Sequence, residues 1–329
     1  MSNTGRVRAM GGGLYHVILR TVASRFYFTD EEKDAFTQIL WKAALFGYIQ
    51  VFSHAILDNH VHLVVYVPER RPVSDEELID RLADLYSREK ANEIRDLWEF
   101  RKKHKRGRVV KLEKEKYIRR MFNLSSFVKT VKENYTQGYN RRQNGRIGTV
   151  WAGRFKSILL SGKDIDLPLI TAAYVDLNPA KAGKGPDPGA YPWSGIGAAL
   201  NRDRGAMAGI LALGQLTGFA SEETTPERAT LLYYDILLGK AKGRIKSLFE
   251  TRIVIEENDP RFDPSLWGRE ITLFDLIREC KLLCFEKGGM LSKNVDEMDG
   301  IRDKHPAESI LPGYYSAHGL RKTVVIPRK

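Results

Sequence analysis

Apolar positions recur along this chain at two periods. Residues 14–21, 49–57, 61–67 and 155–160 are short runs rich in Val, Ile, Leu and Tyr, edged by turn-forming or charged residues, and they predict strands. Residues 30–46 carry apolar side chains at helical spacing behind Asp30-Glu31-Glu32, acids that favour a helix N-terminus, and predict a helix between the first two strands. Further helices are expected over 124–139 and 165–177. The order is β-α-β-β, a helical stretch, then β and α. It predicts an α+β fold: a ferredoxin-like antiparallel sheet with helices on one face and the strand over 61–67 in the centre.

Two stretches lie outside that order. Residues 70–120 are a charged insertion in which 74–86 and 89–103 read as helices with narrow apolar stripes, Leu78, Leu82 and Leu85 on the first and Ile94, Leu97 and Trp98 on the second. Gly185-Pro186-Asp187-Pro188-Gly189 is a loop, and a boundary is expected near residues 202–205. The predicted division is a domain over 1–204 and a mostly helical accessory domain over 205–329. In the latter, 225–238 begins with Thr225 as cap and Pro226 as first residue, and 271–285 is a second helix.

Charge then narrows the partner. The chain has 53 Lys and Arg against 41 Asp and Glu, a net +12, which suits a polyanion. The cations cluster at 101–108 continuing to Arg120, at Arg141, Arg142, Arg146, Arg154 and Lys156, and at Lys240, Lys242, Arg244 and Lys246. Each cluster alone is more often a solvated face or loop than a binding site. In the second, Tyr135, Tyr139, Trp151 and Phe155 are interleaved, which favours a groove for single strands, where stacking adds about 1–3 kcal/mol per base. No apolar run reaches membrane length, so no membrane partner is expected. Two cysteines, Cys280 and Cys284, cannot complete a zinc site or a disulfide framework and fit a reducing cytoplasm.

The candidate chemistry lies in two segments. Asp58-Asn59-His60-Val61-His62 heads the strand over 61–67, and period two puts both imidazoles on one face, enough for an open metal site. Ala173-Tyr174-Val175-Asp176-Leu177-Asn178-Pro179-Ala180-Lys181-Ala182-Gly183 ends the helix over 165–177. Tyr174 and Asn178 share a helix face if the helix runs that far, although Pro179 disfavours it. Asn178-Pro179 reads alternatively as the start of a one-turn helix, and Tyr174 as a core aromatic. Tyr135 and Tyr139, beside Arg141 and Arg142, are rival nucleophiles. His16 reads as a satisfied sheet histidine. Asp58 is a candidate to support a histidine from behind, and the turn at 57–59 separates His54 from the motif. His104, His305 and His318 read as surface residues.

Together these strings resemble the HUH endonucleases of single-stranded DNA, in which His60-Val61-His62 is the name-giving triplet, and within them the REP-associated tyrosine transposases. Tyr174 to Gly183, Tyr191-Pro192-Trp193-Ser194, Tyr139-Asn140-Arg141-Arg142, Gly148-Thr149-Val150-Trp151, Gly153-Arg154-Phe155-Lys156-Ser157 and Gly13-Leu14-Tyr15-His16-Val17 carry the likeness over roughly residues 10–200. The resemblance implies His60 and His62 as ligands of Mg²⁺ or Mn²⁺, Asn178 as a third ligand, and Tyr174 as nucleophile. It further implies cleavage of hairpin-bearing single-stranded DNA through a 5′-phosphotyrosine, in some relatives with active sites shared in a homodimer. Arg141, Arg142, Arg146, Trp151, Arg154, Lys156 and Lys181 are then the expected DNA contacts. Three other readings stay open: a relative that grips DNA or RNA hairpins without cutting, an RNA-binding or RNA-processing protein with the same basic groove, and a metal phosphohydrolase that uses water and leaves no covalent adduct.

Overall fold

The strand over 61–67 has no alternation of apolar with polar residues, the mark of a strand covered on both faces rather than one. The computed structural model describes residues 12–160, 166–254 and 268–279, with three short strands beyond them. Strands β1 (Gly13–Arg20), β2 (Gln50–Ile56), β3 (His60–Val67) and β4 (Lys156–Leu160) form a sheet in the order β2-β3-β1-β4, each neighbour antiparallel. This is the expected ferredoxin-like order, with β3 and β1 central. A separate pair joins β5 (Arg252–Val254) to β6 (Glu270–Thr272), while β7 (Ala307–Ser309), β8 (Tyr314–Ala317) and β9 (Thr323–Pro327) extend the sheet beyond β4.

One face of the sheet carries Val17, Leu19, Val61, Leu63 and Val65 against α1 (Asp30–Gly47), the helix that connects β1 to β2. Thr29 caps α1 by accepting from the Glu32 N–H, and three acids fill its first turn. The insertion follows β3 as α2 (Asp75–Leu85), α3 (Arg88–Lys103) and α4 (Gly107–Ile118), the last of which the sequence reading shows only as a basic cluster. A Ser74–Glu77 capping box starts α2. The three helices share a small core of Leu78, Leu82, Leu85, Trp98 and Val110 with Phe46 at the end of α1. Leu97, expected in the stripe, is 44% exposed. Helix α5 (Leu124–Arg142), capped by Asn123, then packs Phe127, Val131 and Tyr135 beside α1.

The opposite face is covered as well, which corrects the expected single helical layer. Helix α6 (Asp166–Asp176), the one-turn α7 (Asn178–Lys181) and α8 (Gly195–Leu200) lead into α9 (Arg204–Thr217) and α10 (Pro226–Leu237). The core on this side joins Val64 and Ile158 of the sheet, Tyr174 of α6, Ile210 of α9 and Tyr233 of α10. It continues into α11 (Gly243–Phe249) and α12 (Leu273–Glu279) through Phe249 and Ile277. The core therefore runs straight past residue 204, where the sequence suggests a boundary. Helix α9 presses on β2 so closely that a Cβ at Gly209 would lie 2.0 Å from the Val51 carbonyl, at the register irregularity between Val51 and Ser53. The later part of the helix expected over 271–285, with Cys280, Cys284, His305 and His318, lies outside the described residues.

Candidate active site

The loop at 57–59 delivers the chain to β3, and strand geometry does the rest. His60 and His62 sit at its first and third positions on the face that also carries Val64, with ring centroids 5.1 Å apart. Each ring is held from behind. His60 Nδ1 lies 2.7 Å from the Asn59 side-chain oxygen, an acceptor that requires the proton on that ring nitrogen. His62 Nδ1 lies 2.9 Å from His16 Nε2, and these two rings stack at 17°. When His62 is the donor, both histidines of the pair turn an unprotonated Nε2 outward. This is the back-support that orients metal-ligating imidazoles.

The neighbouring charges favour the same state. His62 and His16 are 1% and 0% exposed. Burial holds the His62 imidazolium well below its ordinary range, with further opposition from His16, His60, Arg20 and Lys181. Burial alone pushes His16 down to about 3. Both rings are thus neutral at pH 7, as ligation needs. His16, read as a satisfied sheet histidine, is the second ring of this couple. Its parity signalled as much: β1 and β3 pair so that His16, Ile18 and Arg20 share the face of Val64, His62 and His60.

Tyr174 approaches from α6. Its ring stands edge-on to His62 at 5.9 Å and to His16 at 6.1 Å, and it is 4% exposed. Lys181 Nζ lies 4.4 Å from the Tyr174 ring centroid, so a cation stands against the face of this ring. Leu177, between α6 and α7, keeps helical dihedrals, φ −85° and ψ −7°. Asn178 thus follows Tyr174 by one turn, and Pro179 serves as the first residue of α7 rather than as a break. The Asn178 side chain is buried and makes no hydrogen bond among the described residues. Arg20, facing His60 across the β1–β3 pair, and Lys156, facing Ile18, put exposed cations along the same edge.

Two residues beyond Tyr174, Asp176 locks the helix in place. Its fully buried carboxylate accepts from Ser53 Oγ at 2.8 Å, the Ile196 N–H at 2.8 Å and Tyr233 Oη at 2.9 Å. Burial still pushes this carboxyl up to about 6, against those donors. The anchor ties α6 to β2, α8 and α10. It thereby connects the tyrosine to the segment after residue 204.

Other expected residues fall elsewhere. Asp58 supports no histidine: it is ion-paired with Lys33 at 2.9 Å and Lys184 at 2.5 Å, which hold the loop, and Asn59 supports His60 instead. Tyr135 lies on the other face of the sheet, fully buried between Phe28, Phe36 and Trp151, with its hydroxyl pushed far up by burial and by Glu32. Tyr139 packs beside it, at 6.0 Å between rings. Arg142 is paired with the buried Glu32 at 2.6 Å. Arg146 is bound to Asn140 and to the Gly148 carbonyl, so both arginines hold structure together. Trp151 is 3% exposed, and its indole N–H donates to the Lys132 carbonyl; its ring is core, not an open stacking platform. Exposed Arg154 borders a cleft of about 560 Å³ between α5 and residues 149–155, and Arg141 is exposed at the end of α5. Of the seven expected contacts, only Lys156 and Lys181 are on the histidine face. Among the described residues, no three His, Cys, Asp or Glu side chains gather to hold a metal, and no helix is long and apolar enough to cross a membrane.

Comparison with known proteins agrees with part of this picture. Residues 11–106 match the model of a protein family described as "Transposase IS200 like". That span holds β1, β3, His16, Asn59, His60 and His62, and bears out the resemblance read from the sequence there. It ends before Tyr174 and Asn178. No curated protein matches the chain. The chain is also similar to a solved structure described as a REP-associated tyrosine transposase bound to a REP hairpin, with a TM-score of 0.40 and 13% identity over 61% of this chain and 87% of the other. At that distance the likeness carries no argument, and the site must speak for itself.

Proposed function

We propose that this chain is a metal-dependent strand transferase that cuts single-stranded DNA beside a hairpin. The observation that carries this reading is the pair His60 and His62, each with Nδ1 within hydrogen-bond distance of a supporting group, and Tyr174 standing edge-on to His62. The family match over residues 11–106 supports a transposase-type role. In the reaction, Tyr174 Oη attacks the scissile phosphorus and loses its proton. A P–Oη bond forms, the bond to the 3′ oxygen breaks, and that oxygen takes up a proton. The product is a 5′-phosphotyrosine with a free 3′-hydroxyl, and reversal on another 3′ end rejoins the strands.

His60 and His62, through Nε2, and the Asn178 amide would hold a divalent ion, which when bound supplies Lewis-acid stabilisation of the phosphate oxygens. This donor set is neutral. A bound divalent ion there would keep its positive charge and would attract the phosphate oxygens, so metal and strand are expected to bind cooperatively. Two nitrogen donors favour Mn²⁺ over Mg²⁺ in affinity. Lys181, beside the Tyr174 ring, favours the entering phosphate, and Arg20 and Lys156 guide the strand along the sheet edge.

One observation favours a second reading, a hairpin binder that does not cut: Tyr174 is only 4% exposed. The deciding experiment incubates labelled single strands flanking the chain's own gene with Mn²⁺ and resolves the products on a denaturing gel. A protein-linked band in the wild type that Tyr174→Phe abolishes supports the transferase. Tight binding without a band in either protein supports the binder.

A further inference from the structure

The charge of the insertion is sharply divided. Residues 75–100 contain nine Asp and Glu against four Lys and Arg, whereas residues 101–120 contain eleven Lys and Arg against two Glu. The structure folds the second stretch into the turn between α3 and α4 and along α4. Some of these cations are spoken for: Arg101 pairs with Glu113, Lys102 and Lys114 with Asp75, and Arg119 with Glu115, while Arg120 donates to the Thr130 hydroxyl and lies over the Phe46 ring. Six are not. Lys103, Lys105, Arg106, Arg108, Lys111 and Lys116 are all exposed and form no ion pair among the described residues.

The turn itself is built against its own electrostatics. Helix α4 starts at Arg106 without a side-chain cap and without an acid in its first turn, whereas α1 and α2 each place three acids there. Arg106 and Arg108 at this N-terminus oppose its dipole, and a bound polyanion would relieve both this and the mutual repulsion of the exposed cations. Phe100, 58% exposed, stands beside exposed His104 with ring centroids 4.1 Å apart, so the turn also offers an aromatic surface. Nothing in the small core beneath needs this arrangement, because the inward positions are Trp98 and Val110.

We infer that the α3–α4 turn is a second nucleic-acid contact, gripping the phosphate backbone of the strand or stem that extends from the cut. The length dependence below rests on the proposed cleavage site; the charge argument does not. The insertion is rooted at the Val67 end of β3, and the chain returns from it through a hydrogen bond from the Phe122 N–H to the Gly47 carbonyl. From His62 to Val67 is about 17 Å at roughly 3.3 Å per residue. A strand must therefore extend more than about five base steps of roughly 3.4 Å to pass even the root of the insertion. Helices α3 and α4 pack on α2 and on each other, and the turn between them is exposed.

The test replaces all six cations with Gln in the full chain and measures binding of a hairpin with single-stranded flanks by fluorescence anisotropy between 50 and 200 mM salt. Affinity at 100 mM should fall at least tenfold, and the slope of log affinity against log salt should shrink by two or more, since each lost phosphate contact removes about 0.7–0.9. A control variant, Lys240→Gln with Lys242→Gln and Lys246→Gln, should keep the wild-type slope. Adduct formation on a strand with only four nucleotides on either side of the cut should be unchanged in the six-fold variant. An unchanged slope on the long hairpin overturns the inference, as does an equal loss per charge in the control. Loss of binding to phosphatidylserine vesicles with unaltered DNA binding overturns it in favour of a membrane surface. The six side chains lie outside the core, and a wild-type thermal transition in the variant checks the fold; Lys105→Glu with Arg108→Glu is the smaller second variant, expected to weaken binding in the same direction. If the slope changes as expected but no adduct ever forms, the contact stands and the cleavage proposal falls.

Discussion

The two faces of the sheet each bury a tyrosine, and the tyrosines could hardly differ more. Tyr135 is 0% exposed and Tyr174 4%, so burial does not separate them. Company does. Tyr135 lies among Phe28, Phe36 and Trp151, its hydroxyl without a hydrogen-bond partner and its ionisation suppressed by burial and by the nearby Glu32 carboxylate. Tyr174 lies among His16, His62 and Lys181. In sequence, Tyr135 is the one beside a basic run. The comparison teaches that a candidate nucleophilic phenol is chosen by the polar groups that converge on it across the sheet, not by its neighbours along the chain.

The largest expected effect breaks the comparison outright. Tyr174→Phe should abolish the covalent DNA adduct, while Tyr135→Phe should leave it intact on the same gel. Urea unfolding should find Tyr135→Phe neutral or more stable by up to about 1 kcal/mol, because it removes a buried unsatisfied hydroxyl. An adduct that persists in Tyr174→Phe and vanishes in Tyr135→Phe would invert the assignment.

A second pair of buried side chains sharpens it. His16 touches His62, whereas His54, on β2, packs against Trp41 at 5.6 Å with neither ring nitrogen hydrogen-bonded. His16→Leu should weaken Mn²⁺ binding in the presence of DNA by about 10–100-fold, the usual loss for a removed supporting partner, whereas His54→Leu should not change it. Titration calorimetry reads both.

His54 should reveal itself through pH instead. Burial, partly offset by Asp203, lowers it to about 4 from 6.5, so the unfolded chain binds the extra proton first as pH falls. The stability associated with its neutral form is complete above about pH 6.5 and declines toward pH 4. At pH 5 the loss approaches about 2 kcal/mol. Asp176, raised to about 6, contributes the opposite slope below that pH, so the comparison is between wild type and His54→Leu rather than a single curve. The variant should gain on the wild type as pH falls from 6.5 to 5 in urea unfolding; parallel curves would show that His54 titrates normally.

The smallest effect probes the anchor of the tyrosine helix. Tyr233→Phe removes one donor to Asp176 and should lower stability by about 1–2 kcal/mol. If that anchor also aligns Tyr174, the rate of adduct formation falls while affinity for the strand stays the same. Equal loss of both would reduce Tyr233 to packing.

The sequence by itself determined the strands, the order β-α-β-β, and the shared face of His60 and His62, because period-two geometry is local and needs no partner. It also determined the cap of α10, where Thr225 serves the third N–H beyond it. Only the tertiary structure decided which helices cover the second face of the sheet, since a run of apolar residues does not say what will cover it. It decided that His16 and Asn59 stand behind the paired histidines, that Asp58 turns to lysines, and that Arg142 and Arg146 are held by internal acceptors. It also brought Tyr233, far along the chain, onto Asp176. Those outcomes depend on which side chain reaches a buried polar atom first, and a buried donor or acceptor takes whatever partner the packing brings within about 3 Å, however distant in sequence.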